Sequence, residues 1–208
     1  RLLAPYRKEA GLAAKATSFA NWSGLDGHVG GHYLTALAIS YAATGDTACK
    51  RLMNYMVAEL KTCQDANAVN NASWGVGYAG GVPSSAGVWS TFKVGTFTNF
   101  NAAWVPWYNL HKTYAGLRDA WLYGGSETAK TVFLTFCDWG INITSALSDA
   151  QMETMLAVEH GGMNEIFADA YQMTGNAKYL TAAKRFSHKT LLNSLAINVD
   201  NLDNMHAN

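Results

Sequence analysis

The stretch "GHYLTALAISYAATGDTACKRLMNYMVAEL", residues Gly31–Leu60, predicts two helices joined by a tight turn. Apolar residues recur at helical spacing in its first half: Leu34, Leu37, Ala38 and Tyr41. Gly45 suits the left-handed position that ends a helix, and Asp46 suits the N-cap of the next one. The stretch is therefore predicted to form an αα-hairpin.

The same pattern recurs twice further along the chain, in Leu110–Trp139 and Gly162–Leu191. The turns of these two units are Gly124-Gly125-Ser126 and Thr174-Gly175-Asn176. A single αα-hairpin cannot bury its apolar face, so stacked hairpins form either an open solenoid or a closed α/α toroid. The repeat predicts an all-α protein and leaves these two architectures open.

A long Gly-rich insert, from about Asn67 to Ala103, separates the first two hairpins. A connection of this length is usually functional or disordered. Its many aromatic residues argue against disorder. We expect an ordered loop, with a short β-hairpin, that lies over one end of the helices.

The composition is that of a tightly packed and weakly charged domain. Hydrophobic residues make up 49% of the chain and charged residues 14%, and the net charge is zero. Nothing in this balance favours nucleic acid or an anionic membrane as a partner. No run approaches the roughly 20 apolar residues that a membrane-spanning helix needs. The seven Trp and ten Tyr fit large core residues or a cleft that stacks on sugar rings.

Histidines stand at equivalent places in the three hairpins. His28 and His32 open the first, His111 opens the second, His160 precedes the third, and His206 lies near the last residue. In a closed toroid the helix starts gather at one end of a central cavity, where these imidazoles would converge. The alternative is that each His caps a helix or fills a polar niche in the core.

Three kinds of chemistry suit such a convergence. Zinc favours spacings such as His28-xxx-His32, but Gly30 and Gly31 weaken a helix between the two ligands. General acid–base catalysis of glycoside hydrolysis needs two carboxyl groups, for which Glu159 and Glu165 are candidates by type. Polar recognition of a polyhydroxylated ligand suits imidazole, amide and Trp side chains in a neutral cavity. Sugar recognition is the interpretation that the residues favour.

Several motifs, taken together, resemble the β-L-arabinofuranosidases of glycoside hydrolase family 127 and their close relatives. They are "RLLAPYRKEAGL", "LDGHVGGHYLTALA", "TCQDAN", "GYAGGVP", "WVPWYNLHKTYAGLRDA", "EHGGMNEIFADAY" and the terminal "HAN". The resemblance implies an (α/α)6 toroid that releases terminal β-L-arabinofuranosyl residues from plant glycans with retention. It also implies a zinc-bound cysteine nucleophile and a glutamate acid/base, which in the family follow the "HAN" motif.

The resemblance therefore implies that the nucleophile, the zinc ligands and the acid/base lie beyond Asn208. No catalytic or metal role is transferred to Cys49, Cys63 or Cys137, which are expected to be structural thiols. The resemblance does imply sugar contacts for three histidines of its motifs: His111, His160 and His206. Four further residues are assigned to sugar binding only as neighbours in the motifs: Glu159, Asn164, Trp107 and His32.

Residues 1–208 are thus expected to be part of one toroid domain that is truncated at its C-terminal end, since three hairpins make half of a six-hairpin ring. This segment alone would be inactive. The expected partners are an L-arabinofuranose-containing oligo- or polysaccharide and the rest of the polypeptide, in the periplasm or outside the cell. The alternatives are an unsaturated uronyl hydrolase, a sugar epimerase or a non-catalytic helical-repeat binding protein.

Overall fold

The computed structural model describes residues 1–19, 25–98, 100–159 and 161–203, apart from the side chains of residues 101 and 102. These residues form helices and connecting turns, and no β-strand occurs among them. The helices are α1 (Ala4–Glu9), α2 (His28–Thr44), α3 (Thr47–Asn70), α4 (Ser85–Lys93), α5 (Pro106–Leu122), α6 (Glu127–Ile143), α7 (Asp149–Val158), α8 (Met163–Thr174), α9 (Ala177–Arg185) and α10 (Lys189–Ala196). None of the helices described is both long and apolar enough to cross a lipid bilayer.

The three predicted αα-hairpins are confirmed as α2–α3, α5–α6 and α8–α9. Gly45 ends α2 in the left-handed conformation, with φ 72°, and the Asp46 side chain accepts a hydrogen bond from the Ala48 N–H at the start of α3. Ser126 and Asn176 cap α6 and α9 in the same way. Each turn thus satisfies backbone groups that a helix end would otherwise leave unpaired.

The hairpins stack into two layers, as expected for part of an α/α toroid. The first layer consists of α2, α5 and α8, and the second of α3, α6 and α9. The first-layer helices run parallel. Gly31 of α2 contacts Lys112 of α5, and Thr35, one turn later in α2, bonds to Asp119, which also lies later in α5. The contacts between α5 and α8 likewise move toward the C-terminal end of both helices, as far as Arg118 with Asp169. Their N-terminal ends therefore lie at one end of the layer.

Close packing of α2 against α5 depends on glycine. A Cβ atom at Gly31 would lie 2.1 Å from the backbone carbon of Lys112, and one at Gly116 would lie 2.7 Å from the Gly31 oxygen. Neither distance is compatible with a side chain, because the neighbouring atoms belong to a helix backbone. Gly30 and Gly31 do not prevent helix formation, since α2 begins at His28 and runs through both.

The insert between the first two hairpins is ordered, as predicted, but the predicted β-hairpin is wrong. Its described residues form turns, α4 and a 3-10 helix at Phe100–Ala103. Val88, Trp89 and Phe92 are spaced to share one helix face, and all three are buried. The insert packs along α6, where the Tyr78 and Trp89 rings lie 4.8 and 5.1 Å from that of Trp139. It also contacts the starts of α2 and α5, through Gly81 with Gly27 and Trp89 with Trp107, so it supplies part of the core at that end of the helices.

The glycine contact yields a direct stability test. Replacing Gly31 with Ala should lower the free energy of unfolding by about 3 kcal/mol, because the added methyl group meets backbone that cannot rotate away. The matched control is Gly87→Ala in α4, where a Cβ would meet no atom within 4 Å. The control should be unchanged or more stable by up to about 1 kcal/mol. Urea denaturation measures both, and equal stabilities would show that α2 and α5 do not pack this closely.

Candidate functional site

Aromatic and titratable side chains gather at the N-terminal end of the first layer. The His28 ring lies 5.8 Å from that of His32 and 6.4 Å from that of Tyr108, which joins the first turns of α2 and α5. His28 is buried, and its Nδ1 lies 2.5 Å from the Leu25 carbonyl oxygen. His32 is exposed. Partial burial and the neighbouring Lys112 charge lower the pKa of His32.

His111 lies one turn into α5 and has a charged partner at each ring nitrogen. Its Nε2 is 3.1 Å from Glu165 Oε2 of α8, and its Nδ1 is 3.2 Å from Lys112 Nζ. Burial lowers the pKa of His111, and the Lys112 charge lowers it further against the opposing effect of Glu165. Burial and the Lys112 charge thus favour the neutral imidazole over the imidazolium ion. Lys112 also covers the Tyr108 ring, with Nζ 4.2 Å from the ring centre.

Charged groups deeper in the first layer tie its three helices together. Arg118 of α5 bonds to Glu165 at 3.1 Å and to Asp169 at 2.5 Å, both on α8. It also contacts Asp119, which in turn accepts a hydrogen bond from the Thr35 hydroxyl of α2 at 2.8 Å. Burial alone would raise the pKa of Glu165, but the hydrogen bonds from Arg118 and His111 outweigh it and lower that pKa. Glu165 is thus a carboxylate, and it is 55% exposed.

Glu159 is turned away from this group and caps α5. Its carboxyl oxygens accept hydrogen bonds from the backbone N–H groups of Trp107 at 3.0 Å and Tyr108 at 2.5 Å. These donors belong to the first turn of α5, whose N-cap residue Val105 has no side-chain oxygen to offer. Glu159 is only 7% exposed, and burial raises its pKa to about 8 although the two N–H groups act in the opposite direction.

The two glycines that follow in the sequence let the chain pass close to α5. Gly161 and Gly162 both have positive φ, at 67° and 77°. A Cβ at Gly161 would lie 2.3 Å from the Trp107 Cβ, and one at Gly162 would lie 2.9 Å from the His111 ring. Gly161 and Gly162 are therefore pressed against the first two turns of α5, which brings Glu165 to His111.

The sequence-predicted sugar-binding residues fall into three groups. His111, His32 and Asn164 lie on first-layer helices, and His32 and Asn164 are exposed. Glu159 and Trp107 are buried; Trp107 is fully enclosed, and its indole N–H lies 3.3 Å from the Met155 sulfur. His160 and His206 lie outside the described residues. A direct sugar contact for each of the seven stays a prediction.

The residues that the structure describes do not fit a zinc site. Among the described residues, no three His, Cys, Asp or Glu side chains are grouped so that they could hold a metal ion. Cys63 and Cys137 are buried, and burial raises the pKa of the Cys63 thiol to about 12. Cys49 and Cys63 lie 14 positions apart on α3, too far for one ion. No step involving zinc is therefore assigned to these side chains.

A cavity of about 560 Å³ lies away from His111, between α1, the segment that follows it and the α2–α3 hairpin. Its walls include aromatic side chains at Phe19, Tyr33 and Tyr55, and it reaches Asp26 and His28. Arg118, Glu165 and Asp169 do not line this cavity. The cavity is therefore distinct in position from the group of side chains on α5 and α8.

Parallel first-layer helices backed by an antiparallel second layer, with polar groups collected at one end, define a segment of an α/α-toroid enzyme. The model of the β-L-arabinofuranosidase GH127 catalytic domain matches residues 1–208, and the chain belongs to that family. It is accordingly a glycoside hydrolase domain with a carbohydrate substrate. No curated protein sequence matches the chain.

Sequence reasoning did not single out Arg118, Lys112 or Tyr108. A usable signal was nevertheless present. His111 and Arg118 are seven residues apart on α5, and Glu165 and Asp169 are four apart on α8, so each pair shares one helix face. Once the two helices are known to be parallel neighbours, their opposite charges are expected to meet. The sequence does not reveal that neighbourhood without the toroid topology.

The Glu159 cap predicts a pH dependence of stability. Folding raises the pKa of Glu159 from 4.5 to about 8. The contribution of Glu159 to the free energy of unfolding is therefore fully present below its pKa in the unfolded chain, and it is lost as pH rises through its pKa in the folded protein. Between about pH 5 and pH 9, wild type should lose stability relative to Glu159→Gln, which cannot ionise. Thermal unfolding across this range measures the difference, and a wild-type advantage that grows with pH would contradict it.

Glu159→Ala should be less stable than wild type at low pH by about 1–3 kcal/mol.

Proposed function

We propose that this protein hydrolyses terminal β-L-arabinofuranosyl residues of plant glycans with retention of configuration. The observation that carries the proposal is the family match over the whole chain, together with the place of His111 beside Glu165 on the first layer. Oligo- or polysaccharides containing L-arabinofuranose are the proposed partners.

The residues described contribute to this activity by binding the sugar. His111, His32 and Asn164 belong to helices whose N-terminal halves lie side by side, and imidazole and amide groups both donate to and accept from hydroxyls. His160 and His206 are proposed as further contacts on the strength of the family motifs. Glu159 and Trp107 stay proposed as contacts by their place in the motifs, and they also fix the first turn of α5, which carries Tyr108 and precedes His111.

The bond-breaking groups are proposed to lie outside the residues described. They are a zinc-bound cysteine nucleophile and a glutamate acid/base, both inferred from the family resemblance. The rest of the polypeptide would then be the partner that completes the site. A polysaccharide substrate cannot cross a membrane unaided, which supports a location in the periplasm or outside the cell.

Hydrolysis tests the substrate and the metal together. The full-length protein should release the aglycone from an aryl β-L-arabinofuranoside, and a chelator or thiol alkylation should abolish the release. The matched control substrate is the aryl α-L-arabinofuranoside, which should be left intact. A folded, zinc-loaded protein that fails to hydrolyse the β-anomer would exclude the proposed activity.

Removal of His111 tests the sugar contact separately. His111→Ala should weaken L-arabinose binding by about tenfold, the value of one lost hydrogen bond, as measured by titration calorimetry. His188→Ala is the control, since His188 pairs with Glu153 of α7 and lies outside the group on α5 and α8. Circular dichroism checks that both variants fold. Equal affinities of wild type and His111→Ala would remove the proposed contact.

A further inference from the structure

The two ring nitrogens of His111 face partners of opposite hydrogen-bonding character. Glu165 Oε2 lies 3.1 Å from Nε2, and a carboxylate can only accept a hydrogen bond. Lys112 Nζ lies 3.2 Å from Nδ1, and an ammonium group can only donate one. Both contacts are satisfied at once by a neutral ring with its proton on Nε2 and a lone pair on Nδ1. The other tautomer would lose both contacts, and the doubly protonated ring would lose the contact with Lys112.

Glu165 is held in place more firmly than Lys112. Its second oxygen accepts from Arg118 at 3.1 Å, and Arg118 is fixed in turn by Asp169 of α8 and Asp119 of α5. Asp119 is almost fully buried and is bonded to Thr35, so the anchor extends to all three first-layer helices. The Glu165 carboxylate therefore stays at one position relative to the His111 ring, which is what fixing a tautomer requires.

Lys112 is the partner that a ligand can replace. Its ammonium group contacts the Tyr108 ring and His111 Nδ1, and burial lowers its pKa, so the charge is poorly stabilised where it lies. A Lys side chain has four rotatable bonds and can move its charge to water at little cost. The hydrogen-bonding position opposite Nδ1 is thus the one through which His111 can reach a ligand.

We propose that Glu165, anchored by Arg118, is a positioning residue that holds the His111 proton on Nε2 and so presents Nδ1 as an acceptor to a sugar hydroxyl, which displaces Lys112. The inference deepens the proposed sugar contact of His111 and rests on it. It also defines the chemistry of that contact: the sugar must donate the hydrogen bond. A deoxy sugar or a methyl ether at this hydroxyl cannot do so and would bind more weakly.

The ring can be observed directly by ¹⁵N NMR of the intact protein labelled at histidine, with the His111 signals assigned by their absence in His111→Gln. Without sugar, wild type should show a protonated Nε2 and an unprotonated Nδ1. In Glu165→Gln, Arg118 keeps the amide oxygen and the amide N–H₂ faces Nε2, so the proton should move to Nδ1. A wild-type ring protonated on Nδ1, or an unchanged ring in Glu165→Gln, would overturn the proposal.

Two further variants complete the test. Glu127→Gln is the matched control, because Glu127 is an exposed carboxylate at the start of α6, and it should leave the His111 signals unchanged. A change of equal size in the control would overturn the proposal. If Glu165→Gln does not fold, Arg118→Lys keeps the charge but loosens the anchor and should give a mixture of the two tautomers. A single Nε2-protonated form in Arg118→Lys would show that Arg118 is not the anchor.

Addition of L-arabinose separates this inference from the proposed function. The Nδ1 signal should shift as the sugar binds, while Nε2 stays protonated, and the affinity of Glu165→Gln should be about tenfold lower than that of wild type. L-Arabinose that binds without moving the Nδ1 signal would overturn the assignment of Nδ1 as the acceptor. Arabinose that does not bind wild type at all would count against the proposed function, whereas the tautomer measured without sugar would still decide the role of Glu165.

Discussion

The first layer depends on the approach of two helix backbones at Gly31. The Lys112 carbonyl occupies the space in which any side chain at position 31 would lie, and Gly116 repeats the arrangement one turn further along. Parallel helices cannot come this close when their facing positions carry side chains. Because α2 and α5 are so close, Thr35 reaches Asp119 and His28 reaches Tyr108. The side-chain contacts of the site are therefore consequences of a backbone contact.

A second contact joins the third hairpin to the first two. Glu159 caps the first turn of α5, and the glycines after it bring α8 alongside the same helix. The cap is a compromise: burial disfavours the charged carboxyl group, whereas the two N–H donors and the positive end of the helix dipole favour it. Glu159 therefore fixes the position of the first turn of α5, which carries Tyr108 and precedes His111.

Much of the fold could be predicted from the sequence because its signals are local. Helical spacing, a left-handed glycine and a polar N-cap lie within a few residues of one another at Gly45, Gly125 and Gly175, and the structure confirms all three turns. The insert lacks such signals, and its aromatic residues suit a strand or a helix face equally well. The sequence does not reveal roles that depend on partners far away along the chain. The cap that Glu159 forms on α5 joins residues more than 50 positions apart, and so does the Arg118–Asp169 ion pair.

The charge pattern of the first layer explains how a chain with zero net charge can hold a polar ligand site. Arg118 and Lys112 together offset two of the three carboxylates of Asp119, Glu165 and Asp169, so the group keeps a single net negative charge. His111, Glu165 and Lys112 present oriented hydrogen-bond donors and acceptors at its edge. Such a surface does not attract an anionic ligand at a distance, and hydrogen bonds whose geometry is already set favour a ligand rich in hydroxyl groups. A neutral, polyhydroxylated sugar is the ligand class for which that balance is most favourable.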